Sequence, residues 1–163
     1  MIRRLQILSL LLITCAIAAC GFHLRGAYDL PEHLSPLFID KDSMSLQLYR
    51  ELRSALVASG VELTDDAATA SSVLEVNREQ RSRDVISVDT LGRAREYRLI
   101  YRLEFTLSAA GESLIDKSRI ELTRNLLFDP ETVLGVAQEQ EYIYADMIRD
   151  SASQVLQKLQ AVK

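Results

Sequence analysis

Between residues 97 and 107 the chain alternates with a period of two. Tyr97, Leu99, Tyr101, Leu103, Phe105 and Leu107 fall on one parity, and Arg98, Ile100, Arg102, Glu104 and Thr106 on the other. Eleven residues of this pattern predict a strand with one apolar and one mainly polar face. Such a strand needs a sheet around it and an apolar layer over one side. The neighbouring segments supply the sheet. Val73 to Val88 has strand character at both ends, with the polar stretch Asn77 to Asp84 between them. The apolar residues change phase across that stretch, which predicts a β-bulge. Asp89-Thr90-Leu91-Gly92 reads as a hairpin turn with Gly92 in the left-handed position. Leu114 to Phe128 reads as a third long strand, reached through a turn at Ala109-Ala110-Gly111-Glu112, and Leu37-Phe38-Ile39 as a short buried one.

Two segments have helical spacing. Leu48, Leu52, Ala55, Leu56 and Ser59 predict a helix over about Ser45 to Ser59, with Asp42 and Ser43 as capping candidates and Gly60 as its stop. Val133, Val136, Ala137, Ile143, Tyr144, Met147, Ile148, Val155, Leu156 and Leu159 predict a longer one from Glu131 to Leu159, on the order of 40 Å long. Asp129-Pro130 breaks the preceding strand, and Asp129 is positioned to cap this helix. The order strand, helix, three strands, helix predicts an α+β fold, an α/β sandwich with two helices packed on one face of a four-stranded mixed sheet. The other sheet face is left uncovered.

Composition narrows the function. The 163 residues carry 19 basic and 23 acidic side chains, a net charge of −4, without the basic footprint of a general nucleic-acid binder. Two Cys support neither a disulfide framework nor a four-ligand zinc site. Both His, His23 and His33, precede the core elements, and no nucleophile, zinc or phosphate-loop motif is present. Asp116 and Glu121 lie in a strand pattern, with no partner that would make them an acid/base pair. A non-enzyme without metal or dissociable cofactor is expected.

The first twenty residues read as an address. Arg3 and Arg4 precede an uncharged, mostly apolar run from Leu5 to Ala19, too short for a membrane span of ~20 residues and suited to a secretory signal. Ile17-Ala18-Ala19-Cys20 resembles a bacterial lipobox, which implies cleavage before Cys20 and an N-acyl diacylglycerol on that thiol. The alternative is Ala16-Ile17-Ala18 as an ordinary cleavage site, releasing an unanchored periplasmic protein. Several acyl chains anchor stably, because each buried CH₂ contributes ~0.8 kcal/mol. Residues 1–19 are thus expected to be a signal peptide, 20–36 an acylated lead and 37–163 the folded domain. In lipoproteins generally an Asp after the Cys favours the inner membrane, so Gly21 implies the outer membrane.

One charge cluster stands out. Residues 78–102 hold seven Arg (Arg78, Arg81, Arg83, Arg93, Arg95, Arg98 and Arg102), no Lys and four acids. The planar guanidinium fork suits phosphate or carboxylate. This hairpin reads either as a solvated surface paired to its own acids or as an anion-binding edge for phosphorylated lipid or an acidic partner.

Cys20-Gly21-Phe22-His23-Leu24-Arg25-Gly26 resembles the opening of mature chains in the LptE family of lipopolysaccharide-assembly lipoproteins. Gly60-Val61-Glu62-Leu63, Ala94-Arg95-Glu96-Tyr97, Asp129-Pro130 and Glu139-Gln140 match further pieces in the same order. The resemblance implies the same sandwich and a part in lipopolysaccharide export, as plug and assembly factor of the outer-membrane β-barrel LptD and as a lipopolysaccharide binder. Arg78, Arg81, Arg83, Arg93 and Arg95 are then the candidate contacts for the lipid phosphates. Residues 131–148 hold four acids and no Lys or Arg, so any family lipid contact requiring a cation at the start of that helix is missing here. The alternative is an accessory or scaffold lipoprotein of another outer-membrane machine, such as barrel assembly, that binds no lipid.

The anchor yields a direct expectation. Cys20→Ala is expected to lose incorporation of labelled fatty acid in cells while the domain still folds. Label persisting in that variant would move the anchor to Cys15, the only other cysteine.

Overall fold

The computed structural model describes residues 28–128 and 133–162. The signal segment, Cys20, the Gly21–Gly26 lead with His23, and Asp129, Pro130 and Glu131 lie outside the described residues. Five strands and two α-helices follow in order among the described residues: β1 (Leu37–Asp40), α1 (Leu46–Ala58), β2 (Leu63–Thr64), β3 (Ser72–Val88), β4 (Ala94–Ala109), β5 (Glu112–Leu127) and α2 (Val133–Gln160). The sheet order is β2-β1-β3-β4-β5. β1 runs parallel to both β2 and β3, while β3–β4 and β4–β5 are antiparallel hairpins.

The α+β sandwich expected from the pattern is present, with five strands instead of four. The fifth is β2, which pairs only Leu37 with Leu63 and Phe38 with Thr64. Two residues are too few to show an alternation. This edge strand is set instead by the end of α1. Gly60 takes φ +82°, Gly60 N–H donates to Val57 O at 3.0 Å, and Val61 N–H reaches back to Leu56 O at 3.1 Å. That pair of bonds is a Schellman stop. It buries Val61 and directs the chain back beside β1.

α1 is capped by Ser45 rather than by Asp42 or Ser43. The Ser45 hydroxyl accepts from Leu48 N–H at 3.2 Å, which satisfies one of the free donors of the first turn. α2 has 28 residues and so extends about 42 Å along the sheet. Leu48, Leu52 and Leu56 of α1 meet Met147, Ile148, Val155, Leu156 and Leu159 of α2 over Leu99, Tyr101, Leu103, Phe105 and Leu107 of β4. All of these are buried, so the alternating strand is the floor of the core.

The bulge lies where the phase change put it. Val76 pairs with Phe105, Arg78 with Glu104 and Glu79 with Leu103, so Asn77 is the extra residue. The inserted position exchanges the two faces of β3. Leu74 and Val76 face the helices before it, and Glu79, Arg81 and Arg83 after it, across from Leu103, Tyr101 and Leu99.

Phe105 is fully buried at the centre of this floor. Phe105→Ala is expected to destabilise the domain by about 3–5 kcal/mol, read as a lowered denaturant midpoint with little change in slope. An unchanged midpoint would show that the helices do not cover this face.

Candidate anion-binding site

The bulge distributes the arginines. On the helix-covered side, Glu79 is held by three donors. The N–H and hydroxyl of Ser45 both donate to its carboxylate, the hydroxyl at 2.9 Å, and the Tyr101 hydroxyl donates at 3.0 Å. Burial, and then the charge of Glu79, push the Tyr101 phenol far above its ordinary value, so it stays a donor at any physiological pH. β3, β4 and the start of α1 are tied together through this one carboxylate.

Two and four residues further along the same face stand Arg81 and Arg83. Arg81 reaches Glu141 of α2 and Gln47 of α1, each at 3.5 Å, and its guanidinium lies 5.4 Å from the centre of the Tyr144 ring. Arg83 donates to Gln140 at 3.0 Å and lies 4.9 Å from the Tyr97 ring centre. The Tyr144 hydroxyl donates to Ser82 O at 2.7 Å between them, and burial raises its pKa. Tyr97 in turn stacks edge-on against Phe128, ring centres 5.5 Å apart. Arg124 of β5 binds Asp150 of α2 at 2.7 Å.

The other candidates are elsewhere. Arg78 projects from the open sheet face opposite Glu104. Arg93 is folded back on the turn, where its Nε donates to Asp89 at 2.7 Å while Leu91 N–H and Arg93 N–H bond the same carboxylate. These bonds, the backbone one from Arg93 foremost, hold the Asp89 carboxyl below its usual range. The turn closes on Gly92 at φ +76°, as its sequence predicts. Arg95 is exposed at the entry to β4, and its carbonyl accepts from Phe128 N–H at 2.8 Å. Thus the five candidate arginines do not converge. Arg81 and Arg83 form one pair under α2, Arg93 and Arg95 flank the tip, and Arg78 stands on the opposite face. Apolar side chains surround the tip, with Val85, Val88, Leu91 and Leu127 all exposed.

The open face carries a cross-strand ladder. Arg119 makes two bonds to Glu104, at 2.7 and 3.0 Å, and Arg102 binds Glu121 at 2.7 Å. Glu121 is therefore an ion-pair partner. Arg98 stands between Asp84 and Asn125. Asp116 is exposed, and among the described residues no three His, Cys, Asp or Glu come together as a metal site. Within the same bounds no helix is long and apolar enough to cross a membrane.

The sequence pattern did not single out Gln47, Glu79, Gln140, Glu141 or Tyr144 as partners of this cluster. Their contacts span 22 to 62 residues of sequence, which no local motif encodes. One signal was available. The acidic, lysine- and arginine-free start of α2 is the charge complement of β3.

This is an open-faced α+β sandwich whose displayed chemistry is guanidinium and carboxylate, with an apolar hairpin tip. The chain belongs to the LptE family: the family model described as "LptE: Lipopolysaccharide-assembly" matches residues 35–159. An LPS-assembly lipoprotein LptE from Pectobacterium atrosepticum is 31% identical over 157 residues, covering 96% of this chain and 85% of that protein. The counterpart from Yersinia enterocolitica is 27% identical over 160 residues, covering 98% and 77%. Among solved structures, rare lipoprotein B from Shewanella oneidensis aligns with TM-score 0.67 at 28% identity, covering 77% of this chain and 93% of that one. A lipoprotein B from Nitrosomonas europaea aligns with TM-score 0.71 at 27% identity, covering 86% and 91%.

The Glu104–Arg119 bond sets a pH dependence. The hydrogen bond from Arg119, foremost, lowers the Glu104 pKa from the ordinary 4.5. The unfolded chain then takes up its proton first, so this pair's stabilisation is complete above about pH 4.5 and is lost as pH falls through the folded value. Carboxyl NMR titration is expected to give Glu104 a midpoint below 4.5 that rises in Arg119→Ala. A midpoint unmoved by that substitution would remove Arg119 as the cause.

Proposed function

We propose that this chain is a non-catalytic lipoprotein, acylated on Cys20 and anchored to the periplasmic side of the outer membrane, that partners the β-barrel LptD and binds lipopolysaccharide during its insertion. The observation that carries this reading is membership of the lipopolysaccharide-assembly family across residues 35–159. The names of the relatives, LPS-assembly lipoprotein LptE, point the same way.

The two faces of the sheet support a division of labour. The interior of an outer-membrane barrel is polar. The open face, with its Arg119–Glu104 and Arg102–Glu121 pairs, suits such a wall as part of a plug. The hairpin side suits lipopolysaccharide, whose lipid A joins phosphates to acyl chains. Arg81, Arg83, Arg93 and Arg95 supply cations on that side, and Val85, Val88, Leu91 and Leu127 supply exposed apolar surface at the tip, while Arg78 stands on the open face.

Two measurements test this reading. The tagged protein isolated from outer membranes is expected to bring down a large β-barrel protein, and recovery without one would sink the plug role. Lipopolysaccharide is expected to bind more tightly than its dephosphorylated form, with the difference shrinking at high salt because exposed charges are screened over ~8–10 Å. Equal binding of the two forms would separate the arginines from lipid recognition.

A further inference from the structure

Among the candidate arginines, Arg81 and Arg83 alone sit side by side on one face with partners that an incoming anion outcompetes. Two residues apart on a strand, they are about 7 Å apart along the chain, close enough to flank a single phosphate. Each guanidinium lies against a tyrosine ring, Tyr144 or Tyr97. The ring attracts the cation through its face without using an N–H, so the guanidinium keeps its donors for a phosphate acceptor. Their present acceptors are weak. Glu141 is reached at only 3.5 Å and is two-thirds exposed, and Gln47 and Gln140 are neutral amides. Arg93, Arg102 and Arg119 differ, since each holds a carboxylate at 2.7 Å.

Those weak acceptors have a second role. Gln140 and Glu141 lie in the early turns of α2, and among the described side chains its fully buried stripe begins at Tyr144. Among the described side chains before Tyr144, Val136 and Ile143 pack partly buried against the core, with the two arginine contacts beside them. An anion that takes both guanidiniums therefore removes polar attachments of this end of the helix.

We propose that Arg81 and Arg83 form a phosphate-binding pair for which Glu141 and Gln140 are placeholders, so that a phosphorylated lipid displaces them and loosens the start of α2. This rests on the lipopolysaccharide-binding reading and names its phosphate contact and the segment that responds. The chemistry recognised is a phosphomonoester, and lipid-borne and free phosphate are separated by the choice of probe.

The experiment uses the full-length protein in detergent, with diphosphorylated lipid A, its dephosphorylated form and inorganic pyrophosphate. Diphosphorylated lipid A is expected to speed amide exchange in residues 135–142, and the dephosphorylated form to leave it unchanged. A pyrophosphate response there would show that phosphate alone engages the pair, and its absence alongside a lipid A response would show that the lipid body is needed. Replacing both arginines by alanine is expected to weaken lipid A binding about tenfold or more, the scale of lost charge-assisted hydrogen bonds. Glu141→Gln, at an exposed position with little risk to the fold, is expected to tighten binding about two- to fivefold by removing a surface competitor. Unchanged or slowed exchange at 135–142, or no tightening in Glu141→Gln, overturns the proposal. Wild-type protein that binds no lipid A overturns the functional reading as well. Binding that survives loss of both arginines overturns only this inference.

Discussion

One inserted residue, Asn77, determines which way half of β3 faces. Strand side chains alternate between the two sides of a sheet, so an extra residue in one partner exchanges the faces beyond it, here as far as the next register shift after Val85. Ahead of Asn77, Leu74 and Val76 join the core. Past it, Glu79 arrives beneath the N-terminus of α1 and binds Ser45 and Tyr101, while Arg81 and Arg83 arrive beneath α2. In an unbroken alternation, Arg78, Gln80 and Ser82 would take those places. Glu79 would then lose its donors, and the two arginines would join the open face with Arg98 and Arg102.

The bulge also separates two kinds of packing along one sheet. Near β1, apolar side chains from the sheet and both helices interlock, and burial is complete at Leu74, Leu107, Leu52 and Leu156. Toward the hairpin tip the same layers meet through arginine, amide and tyrosine, and burial falls until Val88 and Leu91 are exposed. An apolar core stabilises by area removed from water, about 25 cal/mol per Å². A polar layer of exposed pairs adds little, ~0–1 kcal/mol each, and so opens more readily. The tip end of the sandwich is thus the end able to exchange internal partners for external ones.

Much of this was legible in the sequence where patterns are long. The alternation at 97–107 located β4 and its buried parity, the phase change across Asn77 to Asp84 signalled a bulge, which falls at the start of that stretch, and Gly92 located the turn. Short or distant features were not legible. β2 exists because α1 ends in a Schellman stop that returns the chain beside β1, and two residues show no period. Ser45 outcompetes Asp42 and Ser43 as cap because its N–H and hydroxyl both reach Glu79, 34 residues away. The arginine cluster was visible as composition, but its division into a pair under α2, a tip group and an open-face group depends on register across the sheet. The acidic start of α2 is the exception. Read from sequence as the lack of a cation, it is in the fold the counter-surface that holds Arg81 and Arg83.

The proposed division of the sheet, barrel wall on the open face and lipid on the helix side, is tested most directly by photocrosslinking in intact outer membranes. A photoreactive residue at Gln80 or Thr123, both exposed on the open face, is predicted to capture a large β-barrel protein. The same residue at Gln140, beside Arg83, is predicted to capture lipopolysaccharide. Lipid adducts from Gln80 and Thr123 with none from Gln140, or no barrel adduct from either open-face position, would contradict that assignment.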